Sequence, residues 1–368
     1  MSIEIKNLQK SFGPIKAINA LSLAIGEGKM LVLLGPSGCG KTTTMRCIAG
    51  LERPNSGSIA ISGKVVFDDS KNLNVPINRR NVGMVFQSYA IWPHMSVFDN
   101  VAFPLRVKNL DQKEIADRVG DILSKVGLAD FAERGASYLS GGQMQRVALA
   151  RSLVMRPSVL LFDEPLSNLD ARLRDRLRIQ LRELQTQFNI TSVYVTHDQH
   201  EALALADQIA VMHRGELLQL ADPVTIYSLP TSSTVADFLG YSNIFRVAER
   251  KTIDGGDEVA LGDGRTILRS SGGPDKIMSD LHACVRPEDI EISSWLSEPP
   301  TRPDGTDNAL VGEVTLASFM GSFMQYRVRI EGGEILEIFS RTIDTSIKLG
   351  DRVRLSIRSD RIHLLPQI

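Results

Sequence analysis

Gly35-Pro36-Ser37-Gly38-Cys39-Gly40-Lys41-Thr42-Thr43 is the stretch on which the fold turns. It follows the apolar run 30–34, opens the helical pattern 41–51 and fits G-x-x-x-x-G-K-[ST]. Its three glycines let the backbone curl so that several N–H groups point inward around a phosphate. The helix start at Lys41 adds the positive end of its dipole. In that setting Lys41 reaches the β- and γ-phosphates and the Thr42 hydroxyl can ligate Mg²⁺, with Pro36, Ser37, Cys39 and Thr43 completing the nucleotide-binding loop. The expected ligand is a nucleoside triphosphate with Mg²⁺.

Outward from the loop, short apolar runs alternate with helical patterns through the first two thirds of the chain. Runs 159–162, 192–196 and 208–213 read as strands. Segments 111–126, 142–155, 171–188 and 198–206 read as helices, the rhythm of an α/β protein with a largely parallel sheet. A turn at Arg214-Gly215 links two strands, 209–212 and 217–220. Run 159–162 ends in Asp163-Glu164. Ligands and chemistry gather at the carboxyl ends of parallel strands, so Asp163 is placed to hold Mg²⁺ through water and Glu164 to orient or deprotonate the attacking water. Both residue types also serve as helix N-caps, so the pair gains its functional reading from the phosphate loop.

A second anion-type helix start lies at Leu139-Ser140-Gly141-Gly142-Gln143, followed by Met144-Gln145-Arg146. Two such starts in one chain allow two ligands, or one ligand shared across a dimer. With Gln87 in Val85-Phe86-Gln87, Ser167-Asn168-Leu169-Asp170 and His197 in Val195-Thr196-His197-Asp198, the chain resembles the ABC ATPases, whose motifs occur in this order. The resemblance implies an α/β P-loop NTPase domain over 1–238, with a helical subdomain at about 88–156. It implies a head-to-tail homodimer in which Ser140, Gly141, Gly142 and Gln143 contact the ATP held by the other copy. Asp170 would bridge the two sites, Gln87 would link Mg²⁺ to the helical region, and His197 would be the switch histidine beside Glu164 and Lys41 in catalysis. Phe12, in Ser11-Phe12-Gly13, stands where the family stacks an aromatic, more often Tyr, on adenine. Phe keeps the π face and loses only the hydroxyl.

After about residue 240 the texture changes to period-2 segments such as 326–330, 335–339 and 352–357, separated by Gly, Pro and Asp. This reads as an all-β domain over 239–368, with a Pro-rich loop at Glu298-Pro299-Pro300-Thr301-Arg302-Pro303. Val285-Arg286-Pro287-Glu288-Asp289-Ile290 and the closing His363-Leu364-Leu365-Pro366 resemble the OB-like (TOBE) accessory domain of importer ATPases. That group handles sugars, polyamines, ferric iron, thiamine, sulfate and phosphonates, and the wording of 85–97 and 161–197 leans toward iron and polyamines. Residues 87–97, rich in apolar and aromatic side chains, resemble the segment that receives membrane subunits. The implied partners are two integral membrane permease subunits and, indirectly, an extracytoplasmic solute-binding protein. The implied location is the cytoplasmic face of the inner membrane.

Composition fits. Lys and Arg number 42 against 43 Asp and Glu, so no basic excess points to nucleic acid. The cluster Arg172, Arg174, Arg176 and Arg178 reads as the solvated face of a helix. Three scattered cysteines suit a reducing compartment. No secretory h-region stands at the N-terminus, and no apolar run approaches the ~18 to 20 residues that span a bilayer. The competing reading, a non-transport ABC ATPase acting on nucleic acid or the ribosome, usually carries two cassettes or long insertions. The β-domain could bind a small regulator or act as a dimer spacer.

Overall fold

A computed structural model describes residues 1–262, 264–273, 280–295 and 307–367. The chain divides into two compact units, Met1–Ile226 and Tyr227–Ile368. The Pro-rich piece 298–303 lies outside the described residues.

In the first unit, β1 (Ile3–Phe12), β2 (Ile15–Ile25), β4 (Ser56–Ile61), β5 (Lys64–Asp68) and β6 (Leu73–Asn74) form an antiparallel sheet in the order β2-β1-β4-β5-β6. The second sheet joins β3 (Met30–Leu34), β7 (Val82–Val85), β8 (Val159–Asp163), β9 (Thr191–Thr196), β10 (Gln208–His213) and β11 (Glu216–Ala221) in the order β11-β10-β3-β9-β8-β7. Every pairing in it is parallel except β10 with β11. All five residues of β3 and all six of β9 are buried, which is why these strands read as unbroken apolar or β-branched runs. The helix α1 (Lys41–Ala49) inserts Met45 and Ile48 into a core with Ile3, Leu21, Leu33, Leu161 and Val195.

The helices α2 (Val97–Val107), α3 (Gln112–Lys125) and α4 (Gly141–Leu153) fall within 88–156. Val97, Val101 and Leu105 recur every four residues and are buried on α2, as are Ile115, Val119 and Ile122 on α3. Two further helices, α5 (Ala171–Phe188) and α6 (Gln199–Leu205), flank β9.

Several ends differ from the sequence reading for local reasons. The first helix stops at Ala49 because Gly50 turns left-handed (φ 85°) and its N–H returns to the carbonyls of Arg46 and Cys47. Asp111 and Asp198 are N-caps rather than first residues, their carboxylates accepting from Lys113 and Glu114, and from His200 and Glu201. The segment expected at 142–155 starts at Gly141 and ends at Leu153. Of the arginine cluster, Arg174 and Arg178 are half-buried: Arg174 donates to the Leu169 carbonyl and Arg178 pairs with Asp175 at 3.1 Å.

In the second unit, one five-stranded sheet contains Asn243–Ile253 and Leu281–Val285 and the other contains Asp307–Phe319 and Arg352–Arg358. They enclose one core that includes Val259, Val285, Tyr326, Val328, Ile338 and Leu355, an OB-like β domain. Arg286 lies against the rings of Tyr227 (3.4 Å) and Tyr241 (4.1 Å) and donates to the carbonyls of Leu239 and Tyr227. This draws residues 227–238, which the sequence reading grouped with the first domain, into the second compact unit.

Candidate active site

The phosphate loop leaves the carboxyl end of β3 and enters α1 with no side chain capping the helix and no acidic residue in its first turn. Its N–H groups are therefore left for an anion. Gly35 (φ 152°) and Gly40 (φ 103°) are obligatory: a Cβ on Gly35 would lie 2.1 Å from the Met212 carbonyl oxygen, and one on Gly40 2.2 Å from that of Ala17. Lys41 is 5% exposed and its Nζ donates to the carbonyls of Gly35 (2.7 Å) and Pro36 (2.8 Å), which holds the ammonium inside the loop. Burial pushes the Cys39 thiol up in spite of Lys41 nearby, so it stays protonated and serves as packing.

Across from the loop, β8 delivers Asp163, whose Oδ1 accepts from the Thr42 hydroxyl at 3.2 Å. Burial raises the Asp163 carboxyl above the ordinary range, against the pull of Thr42 and Arg46. Glu164 follows with φ 43°, a left-handed backbone unusual for a side chain of this size. Its Oε2 lies 3.3 Å from Nδ1 of His197, which is 59% exposed at the end of β9. The Gln87 Nε2 donates to Ser167 Oγ (3.1 Å), which donates in turn to the Glu164 carbonyl (2.9 Å), while Asn168 holds the Gln87 carbonyl. Gln87 thereby keeps its side-chain oxygen for another partner.

The oxygen set of Thr42, Asp163 and Gln87 suits Mg²⁺, a hard cation that takes few protein ligands. Among the described residues no group of three or more His, Cys, Asp or Glu could hold a metal. A cavity of about 830 Å³ opens elsewhere, lined by Met1, Ser158 and Thr191 at the starts of β1, β8 and β9. Asp163, Glu164 and His197 lie at the opposite ends of β8 and β9.

The remaining sequence-derived residues make contacts of their own. Ser140 and Gln143 form a capping box at the start of α4: Gln143 Oε1 accepts from Ser140 N (2.9 Å) and Ser140 Oγ from Gln143 N (3.4 Å). Gly141 and Gly142 face Leu169, Leu173 and Leu177, and any Cβ there would meet those side chains at 3.1–3.3 Å. The Asp170 carboxylate accepts from Leu173 N and caps α5. Phe12 ends β1 with 47% of its surface exposed.

Two supporting residues escaped the sequence reading. Ser167 is the relay between Gln87 and Glu164, and it stood in a stretch already singled out. Glu201, 3% exposed, accepts from Tyr194 and Thr196 hydroxyls and so pins the strand end that carries His197. Its helical position gave no sequence signal.

Residues 18–167 match the ABC transporter family and residues 283–365 the TOBE domain. The Fe(3+) ions import ATP-binding protein FbpC of Agrobacterium fabrum is 44% identical over 366 residues, covering 99% of this chain and 98% of that protein. The spermidine/putrescine import ATP-binding protein PotA of Rubrobacter xylanophilus is 42% identical over 348 residues, 91% of this chain and 86% of that one. Among solved structures, cbiO1 of Clostridium perfringens, part of the ABC transporter complex cbiONQ, superposes with a TM-score of 0.57 at 28% identity, over 62% of this chain and 91% of that one. Both halves of the sequence thus lead to one place, and the chain belongs to the ABC transporter family, among the ATP-binding subunits of its import systems, ATPases that drive transport.

Proposed function

We propose that two copies of this chain bind ATP with Mg²⁺ head to tail on the cytoplasmic face of the inner membrane. Their closing and reopening drives uptake of ferric iron or a polyamine through two permease subunits fed by an extracytoplasmic solute-binding protein. Nucleic acid has no part in this reading. The observation that carries it is the convergence of Lys41, Thr42, Asp163, Glu164 and His197 at one uncapped helix start, with Thr42 and Asp163 already bonded at 3.2 Å.

Residues 35–43 cradle the phosphates, Lys41 exchanging its loop carbonyls for phosphate oxygens. Thr42, Asp163 and Gln87 hold Mg²⁺, which when bound neutralises charge on the phosphates. Glu164 orients the attacking water and takes its proton, and His197, within 3.3 Å, steadies that carboxylate and senses the terminal phosphate. Phe12 stacks on adenine. Ser140, Gly141, Gly142 and Gln143 meet the nucleotide of the other copy, with Asp170 between the two sites. The γ-phosphate then supplies contacts on both sides, and its loss reopens the pair. We assign residues 1–238 to the motor domain, although 227–238 pack in the second compact unit, with a helical subdomain near 88–156 that receives the permeases, and 239–368 to the accessory domain. The lean to iron or polyamine rests on the relatives named above.

Tagged Glu164→Gln protein, purified with ATP and Mg²⁺ from gently solubilised membranes, tests this. Turnover should fall by about 10²–10⁴-fold, with ATP retained and two copies recovered beside polytopic chains. Rapid turnover would remove Glu164 from its role. Recovery with soluble or ribosomal partners alone would remove the permeases.

A further inference from the structure

The Lys10 side chain is 13% exposed, and its ammonium is held from three sides. It donates to the Arg53 carbonyl at 2.9 Å, pairs with Glu52 at 3.2 Å and lies over the Phe12 ring, 4.6 Å from the centroid. Lys10 and Phe12 are two residues apart on β1, so their side chains leave the strand on the same face. Glu52 and Arg53 follow directly on α1: the N–H groups of Leu51 and Glu52 both return to the Arg46 carbonyl in its last turn. Lys10 therefore ties the exposed aromatic at the end of β1 to the far end of the helix whose start forms the phosphate loop.

We propose that Lys10 is a positioning residue for nucleotide binding, a strut that fixes the Phe12 ring at a set distance from the phosphate loop so that one ATP engages both. This rests on the reading of Phe12 as the adenine platform. The ammonium lies over one face of the ring, and with 47% of Phe12 exposed the residue remains accessible to a base. A cation over an aromatic face is attractive, and more so when partly desolvated. A half-exposed ring without that hold would rotate, and stopping it would fall to the nucleotide on binding. Lys10 does not touch phosphate in this arrangement, so its effect should be confined to the base end of the ligand.

The test is a set of dissociation constants for ATP and for inorganic tripolyphosphate, which lacks the base, measured calorimetrically on the full chain. Lys10→Met should weaken ATP about three- to tenfold and leave tripolyphosphate unchanged. Lys10→Arg, which keeps a cation over the ring, should restore most of the ATP affinity. In a Phe12→Ala background Lys10→Met should add nothing further. Equal weakening of both ligands, or a full Lys10→Met effect without Phe12, overturns the proposal. Should Lys10→Met fail to fold, Lys10→Arg and the Phe12→Ala pair with Lys10→Gln carry the same comparison, with tripolyphosphate binding as the sign of an intact loop. If Phe12→Ala binds ATP as tightly as the parent, the platform reading itself falls and the strut with it. A failure of Lys10 alone is told apart because Phe12→Ala would still weaken ATP selectively.

Discussion

Two helices of the first unit begin at stretches suited to an anion, and they begin differently. The phosphate-loop helix starts from Gly40, with no side chain on its first N–H groups and a buried lysine inside the loop. The helix at Gly141 starts from Ser140, whose hydroxyl accepts from Gln143 N while the Gln143 side chain accepts from Ser140 N. The first helix start is open to a ligand from its own chain. The second is satisfied by its own side chains, and its glycines are pressed against Leu169 and the α5 leucines Leu173 and Leu177. A ligand at the second start must displace capping bonds, whereas one at the first meets bare N–H groups. The asymmetry suits a nucleotide that is bound first by one loop and only later shared.

The contrast breaks most severely at Gly40. Gly40→Ala forces a Cβ to 2.2 Å from the Ala17 carbonyl oxygen at φ 103°. We expect a loss of more than about 2 kcal/mol in unfolding free energy and at least a tenfold loss of ATP affinity, read by denaturant titration and calorimetry. Ser140→Ala sharpens the contrast. It removes a cap, so stability should fall by about 0.5–2 kcal/mol, and ATP binding to the single chain should be unchanged while turnover drops. Equal effects on binding and turnover would place Ser140 at its own chain's nucleotide. The smallest effect on stability concerns Asp163. Its carboxyl is raised by burial, so the ionised form destabilises the fold at neutral pH, and this cost shrinks as pH falls below the raised folded value and is gone below the ordinary carboxylate value. Asp163→Asn should therefore raise the Mg²⁺-free melting temperature slightly at pH 7 and leave it unchanged near pH 3, while hydrolysis is lost. A lower melting temperature at pH 7 would mean the bond to Thr42 outweighs burial.

Much of the site was legible because its chemistry depends on local patterns. The loop 35–43 follows β3 and the acidic pair stands at the end of β8, strands whose buried residues left an uninterrupted apolar signature, and the run to His197 follows a strand whose buried Val and Tyr are flanked by Thr and Ser. The antiparallel sheet built on β1 and β2 was not anticipated, since β1 mixes Lys6, Asn7, Gln9 and Lys10 among Ile3, Ile5 and Leu8, and its register shifts blur the period of two. Helix α2 also went unnamed, with Pro104 inside it and only three buried aliphatic anchors. The capping box had a visible signal, Ser and Gln three apart before an apolar run, which the ligand reading of the same residues overshadowed. Glu201 and Ser167 act through tertiary contacts, and no spacing announces those.

The left-handed backbone of Glu164 has a practical corollary. A glycine would rest there more comfortably than a glutamate, because it lacks the Cβ that makes positive φ costly. Anyone evolving this protein for heat resistance, and selecting on folding alone, would be rewarded for replacing the carboxylate we propose to activate water. Durability and turnover compete at a single position, and a screen for the first must count the second.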